Sequence, residues 1–194
     1  MAQLKMYWRR KAPQYYPLPE GYTARTFVDC REDINIWVSI CRNGILRENA
    51  DEKDYKERML DHPNFKTDDI IMIEKDGVGL ATITAIIHAG GQGYIHMVAA
   101  KPECRGLGIG NAMNYLATKK LYDEGCESAT LTTDEFRVPA IRSYLRAGFM
   151  PVDYDEDMPL RWEKLLRELN IKNVEMVDMN GNTVRILNRG SEER

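Results

Sequence analysis

The order of patterns along the chain predicts an α+β fold, a mixed and mostly antiparallel sheet flanked by helices. Strand-like segments cluster in the first half, with a hairpin signal between two of them. Strand and helix patterns then alternate in the second half. Length decides the domain count, since 194 residues bury one substantial core and are too few for two of ordinary size.

Residues 1–20 are rich in Pro, Tyr and Arg without periodicity, and an N-terminal arm is expected there. Tyr22 to Val28 alternates and carries β-branched residues, which reads as a first strand. Between Arg31 and Cys41, the residues Ile34, Trp37, Val38 and Cys41 fall on one helical face, and Asn43-Gly44 stops the helix. A charged helix is expected over Asp51 to Leu60. The runs "DIIMIEK" and "VGLATITAII" flank Asp76-Gly77, a tight-turn pair, and form a hairpin. "GYIHMVAA" is a further strand, closed by Lys101-Pro102.

After a glycine-rich loop, Ile109, Ala112, Met113, Leu116 and Ala117 mark one face of a helix that Gly125 ends. "SATLTTD" is a short strand. Val138, Ile141 and Leu145 stripe a helix ending at Gly148, and "FMPV" is another short strand. Pro159 suits the first turn of a helix in "PLRWEKLLREL". "VEMVDMNGNTVRIL" is a hairpin around Asn180-Gly181. The expected boundaries are therefore 1–20 for the arm, 21–169 for the main domain, and 170–194 for a C-terminal hairpin and tail.

Composition narrows the partners. A formal net charge of -3 provides no basic field for nucleic acid or acidic lipid, so small molecules or a cationic partner are expected. The apolar runs are far short of a membrane span, and the N-terminus has no apolar core of a secretory signal. Cys30, Cys41, Cys104 and Cys126 show no close pairing, which suits a cytoplasmic protein. His62, His88 and His96 have no metal-ligand spacing, and no metal is expected.

The stretch "RGLGIG", Arg105 to Gly110, leaves its backbone bare at alternate positions. A Walker loop needs Gly-Lys-Ser/Thr, yet Gly110 is followed by Asn111 and Ala112. A dinucleotide fingerprint would require glycine where Asn111 stands. What remains is Arg105-x-x-Gly108-x-Gly110 between a strand and a helix N-terminus. There, successive amides and the helix dipole can cradle a pyrophosphate. A plain strand-to-helix corner is the structural alternative.

The segments "VAAKPECRGLGIG" and "AIRSYLRAGF", in this order and separation, resemble the GNAT acetyltransferase superfamily. The resemblance runs from about Gly21 to Val152 and is strongest from Gly93 onward. It implies a central sheet splayed in the middle, with acetyl-CoA as co-substrate. By this resemblance the coenzyme A diphosphate sits on the amides of Arg105, Gly106, Leu107, Gly108, Ile109 and Gly110. The amide of Val98 or Ala99 holds the oxyanion, and that of Ala100 holds the pantetheine. Tyr144 matches the general acid for the departing thiolate, which a phenol of pKa about 10 suits.

The family often places a glutamate base where this chain has Tyr94. His96, two residues on and on the same strand face, is the candidate base, with a half-buried structural histidine as the alternative. Arg137 stands where many members carry asparagine and is not counted in the site. The acidic run Asp153 to Asp157 either draws a cationic amine or is a solvated loop.

The function so implied is an N-acetyltransferase that moves acetyl from acetyl-CoA to a primary amine of a small molecule or peptide, by direct attack in a ternary complex. Tyr94 keeps a second class open, a non-catalytic acyl-CoA-binding or sensing module of the same fold. Transfer of a longer acyl group is a third reading. The acceptor is expected against Arg31 to Leu60. The C-terminal hairpin must dock on something, either the edge of its own sheet or the partner in a two-fold homodimer.

Overall fold

The computed structural model describes residues 2–189. In chain order its strands and helices are β1 (Leu4–Arg9), β2 (Tyr22–Thr26), α1 (Arg31–Cys41), α2 (Glu52–Tyr55), β3 (Ile70–Lys75), β4 (Val78–Ile87) and β5 (Gln92–Ala100). They continue as α3 (Ile109–Asp123), β6 (Ser128–Thr133), α4 (Val138–Arg146), β7 (Met150–Pro151), α5 (Met158–Glu168), β8 (Val174–Val177) and β9 (Thr183–Leu187). The class is α+β, as the sequence predicts. The chain divides into two compact units, Arg10–Glu127 and Met1–Arg9 with Ser128–Arg194.

In the first unit β2, β3, β4 and β5 pair antiparallel in that order. Asp76 and Gly77 take φ of 51° and 75°, the two positive values that the predicted two-residue turn needs. β4 is buried over almost its whole length because α1 and α3 both pack on it. Gly79 makes the close approach of α1 feasible, since a Cβ there would run into Ile36 Cγ2. Trp37, Ile40 and Cys41 of α1 are fully buried and join Phe27, Tyr55, Met59, Met97 and Ala99 in one cluster. Each such large side chain contributes roughly 1.5–3 kcal/mol over an exposed position.

The charged helix expected over Asp51 to Leu60 forms in two parts. Asp51 caps α2, accepting from Lys53 N at 2.8 Å while its own amide donates to Asp54 Oδ2 at 2.8 Å. The chain then widens into a π-helical turn, Lys56–Leu60, closed by the amide of Asp61 on the carbonyl of Lys56 at 3.0 Å.

The second unit corrects the expected arm. Residues Leu4–Arg9 form β1, which lies between β6 and β7 and pairs antiparallel with both. Leu4, Met6 and Trp8 are buried to within 1% exposure. The Pro and Tyr density that suggested an arm belongs to residues 11–20, which are irregular in the first unit. Even there, Tyr15 sets its ring edge on Tyr115 of α3, with centroids 5.1 Å apart.

α5 buries Met158, Trp162, Leu165 and Leu166 on one stripe. The β8–β9 hairpin docks within its own unit. Val177 forms a parallel bridge with Val152, and the amide of Asp153 donates to the Val177 carbonyl at 2.7 Å. Arg9 Nε donates to the carbonyl of Gly181 at 2.9 Å. The expected tail ends in residues 190–194, which lie outside the described residues. No helix among the described residues is long and apolar enough to cross a membrane.

Candidate active site

β5 carries a distortion in its second half. Thr84 of β4 stands opposite His96, but Thr82 stands opposite Ala99. Two residues of β5, Met97 and Val98, therefore face Ile83 alone, which is a β-bulge. Met97 adopts φ of 46°, a left-handed conformation costly for a side chain without a turn to favour it. The extra residue switches the parity of the strand. Tyr94 and His96 face the loop that follows the π turn, whereas past the bulge Met97 and Ala99 join the cluster around Tyr55 and Trp37. Thr84 Oγ1, opposite His96, is buried with no hydrogen-bond partner. Of the three residues predicted on this strand, Val98 lies in the bulge, while Ala99 and Ala100 keep their register with Thr82 and Ala81.

The strand runs through a short 3₁₀ turn, Pro102–Cys104, into the glycine loop. Gly106 and Gly108 take φ of 73° and 78°, and no atom lies within 4 Å of where a Cβ would stand on either. Gly108 is the N-cap of α3 and provides no side-chain cap. Among the described residues the amides of residues 106–110 donate to no backbone acceptor, which leaves five consecutive donors unbonded at a helix N-terminus. Arg105 differs, because its amide is already bonded to the Pro102 carbonyl at 3.0 Å. Its side chain is exposed, and no carboxylate pairs with it among the described residues. This cradle fits a coenzyme A diphosphate, which would take the amides of Gly106 to Gly110 and the Arg105 charge.

His96 is fixed from outside its strand. Its Nε2 donates to the Arg58 carbonyl at 3.2 Å, an acceptor that the π turn leaves available. Burial pulls the His96 pKa down to about 4, against the opposing effect of that hydrogen bond. The ring stacks on Tyr94 at 5.4 Å and lies 5.1 Å from His62, which in turn is 5.7 Å from His88. A cavity of about 710 Å³ opens between α1 and the α2 segment, lined by Arg31, Ile34, Val38, Tyr55, Lys56 and Leu60 among others. The Tyr55 hydroxyl is buried without a partner.

Tyr144 belongs to the second unit. It is 5% exposed, its ring meets Phe149 edge-on with centroids 6.2 Å apart, and no group among the described residues hydrogen-bonds its hydroxyl. Burial pushes its pKa well above the ordinary phenol value, partly offset by the Arg137 charge. Arg137 itself bonds Asp134 at 3.0 Å, and the acidic run pairs two of its charges, Asp153 with Arg185 at 3.0 Å and Asp157 with Arg161 at 3.5 Å.

Sequence reasoning missed His62 and His88 as parts of this surface. One signal was present: the Gly90-Gly91 turn between β4 and β5 makes His88 a neighbour of Tyr94. The bulge at Met97 left no mark in the sequence.

The acetyltransferase (GNAT) family model matches residues 31–149, and the chain belongs to this family, a class of acyltransferases. Among curated relatives, it is 27% identical to a mycothiol acetyltransferase of Frankia casuarinae over 76% of this chain and 46% of that one. It is 29% identical to a mycothiol acetyltransferase of Thermomonospora curvata over 77% of this chain and 53% of that one. The chain thus spans about half the length of the curated relatives it matches. A GCN5-related N-acetyltransferase from Sphaerobacter thermophilus shares the fold, with a TM-score of 0.65 at 24% identity over 76% of this chain and 47% of that one.

Proposed function

We propose that this chain is an N-acetyltransferase moving an acetyl group from acetyl-CoA to a primary amine of a small molecule or peptide, by direct attack in a ternary complex. The observation that carries the reading is the run of five unpartnered amides at residues 106–110, immediately after a strand bulged at Met97 and Val98. Any helix N-terminus leaves first-turn amides such as those of residues 108–110 unbonded, but Gly106 and Leu107 extend the run beyond what a plain strand-to-helix corner requires.

Each residue then has a task. The amides of Gly106 to Gly110 hold the diphosphate, and the Ala100 amide holds the pantetheine. The Val98 amide, in the bulge, donates to the oxygen that gains charge as the amine nitrogen bonds the thioester carbon. Ala99 is the alternative donor. The carbon–sulfur bond breaks with its electron pair on sulfur, and Tyr144 gives that sulfur its proton. The phenol holds this proton at neutral pH, the burial that raises its pKa equally disfavours the thiolate it protonates, and no group among the described residues takes up its hydroxyl. The base side falls to the cluster of rings around His96.

The body of the acceptor is proposed to lie in the cavity between α1 and α2, whose walls offer both charged and apolar groups, with its amine reaching past Leu60 toward the histidine rings. The relatives' name suggests an acceptor related to mycothiol. Tyr94, in place of an acidic residue, favours the second reading, a non-catalytic acyl-CoA-binding module. Acetyl transfer to spermidine, glutamate, tobramycin, a mycothiol-type amine and an alanine-initiated tripeptide separates the two. Coenzyme A release with one or more of these supports the enzyme. Tight coenzyme A binding with no turnover on any would establish the sensing module.

A further inference from the structure

The chain has three histidines, and they come from three separate segments to one point. His62 follows the π turn, His88 follows β4, and His96 lies in β5 beside Tyr94. Among the histidines His62 is the one that meets both others, with its ring centroid 5.7 Å from His88, 5.1 Å from His96 and 5.6 Å from Tyr94. A carbonyl can only accept, so two hydrogen bonds fix the tautomers. His96 Nε2 donates to the Arg58 carbonyl at 3.2 Å, which leaves its lone pair on Nδ1. His62 Nδ1 donates to the Pro63 carbonyl at 3.0 Å, which leaves its lone pair on Nε2.

We propose that His62 is the base that takes the proton from the acceptor's ammonium, and that His96 is a positioning residue holding the His62 ring by contact. The inference rests on the N-acetyltransferase reading. His96 is enclosed, anchored to Arg58 and lowered chiefly by burial to about 4. At pH 7 it would hold a proton in only about one molecule in a thousand. His62 lies between the exposed residues Asp61 and Pro63, with Nε2 uncommitted. The groups facing it are His88 at the end of β4 and Tyr94 and His96 of β5, with Arg58 of the π turn beyond His96.

Charge on His62 or Arg58 further disfavours charge on His96. In the step, R–NH₃⁺ gives its proton to His62 Nε2, and the freed nitrogen pair forms the bond to the acetyl carbon. The imidazolium then passes the proton to water.

Two measurements test this. In the first, nitrogen-detected NMR follows the three histidines of the wild-type protein from pH 4 to 9. The neutral rings are expected to show Nδ1–H on His62 and Nε2–H on His96, with His96 keeping its neutral form well below the range of an ordinary imidazole. A His62 that stays neutral throughout, or the opposite tautomers, overturns the proposal. In the second, acetyl transfer is followed against pH for wild type, His62→Gln and His96→Gln, with spermidine, glutamate, tobramycin and the tripeptide as probes.

His62→Gln should lose the imidazole step and about a hundredfold in turnover at pH 7. His96→Gln should keep a step with a moved midpoint and lose under tenfold. A step that survives in His62→Gln and disappears in His96→Gln returns the base to His96. Coenzyme A affinity by calorimetry is expected to be unchanged in both variants. If no probe is acetylated, the transfer reading fails and the base assignment with it. If transfer occurs and neither variant alters the pH profile, only the base assignment fails. Should His62→Gln melt early, the NMR titration of the wild-type protein decides.

Discussion

Asp33 is a buried, ion-paired carboxylate of the first unit. Its carboxylate accepts from Arg25 at 2.6 and 2.7 Å and from the Val28 amide at 2.7 Å. The Arg25 guanidinium, more than the backbone donor, keeps its pKa below the usual carboxylate range despite burial. A depressed folded pKa stabilises the fold above the unfolded value near 4 and loses that contribution as pH falls through the folded one. Asp33→Asn should therefore lower stability at pH 7 by about 2–4 kcal/mol and flatten the loss below pH 4, read by urea melts across pH. Equal acid sensitivity in the variant would assign the acid limb to other groups.

Tyr144→Phe should cut turnover by about a hundredfold and leave coenzyme A affinity intact, because only a proton is removed. Wild-type turnover with chemistry rate-limiting would take Tyr144 out of the mechanism. Tyr144 was legible in the sequence because its flanking motif is local. His62 was not, since its meaning arises only where three distant segments meet.

Among the elements, the glycine loop was legible for the same reason: bare backbone before a helical stripe is a local pattern. Gly108→Val places a β-branched side chain at φ 78°, in the space proposed for the diphosphate. Coenzyme A affinity in calorimetry is expected to fall at least tenfold in a variant that still folds. Unchanged affinity would remove the loop from the binding site.

The bulge in β5 was illegible, because a bulge is a mismatch between two strands and only one was being read at a time. β1 was hidden differently. Buried on both faces, "LKMYWR" lacks clean alternation and merges into the Pro-rich stretch behind it. The hairpin's docking shows how far a turn signal carries. Asn180-Gly181 predicted the turn, while the need for glycine is also tertiary, since a Cβ on Gly181 would lie 2.5 Å from Tyr7 Cε1. With φ at 84° as well, Gly181→Ala should destabilise the second unit by about 1–3 kcal/mol in thermal or urea melts. A variant as stable as wild type would mean that the hairpin shifts off Tyr7 freely.

For the molecule as a whole, the sequence foretold the class of fold and the order of nearly every element. It gave no sign that one unit is discontinuous. That unit takes its central strand from the first nine residues and the remainder from Ser128 onward, so Leu4 pairs with Thr133. The unit Arg10–Glu127 stands between them as an insertion whose ends touch, the Arg10 amide on the Glu127 carbonyl at 2.8 Å.

During synthesis this imposes a wait. Leu4, Met6 and Trp8 leave the ribosome ahead of the rest of their unit, and their partner strand follows more than a hundred residues later, roughly 6–24 s at ordinary elongation rates. Throughout that interval a nascent chain displays an unpaired apolar strand, a natural client for a holdase. Ribosome-bound chains halted near residue 127 should be cut within Leu4–Arg9 by a low dose of protease, and chains halted well past residue 151 should resist.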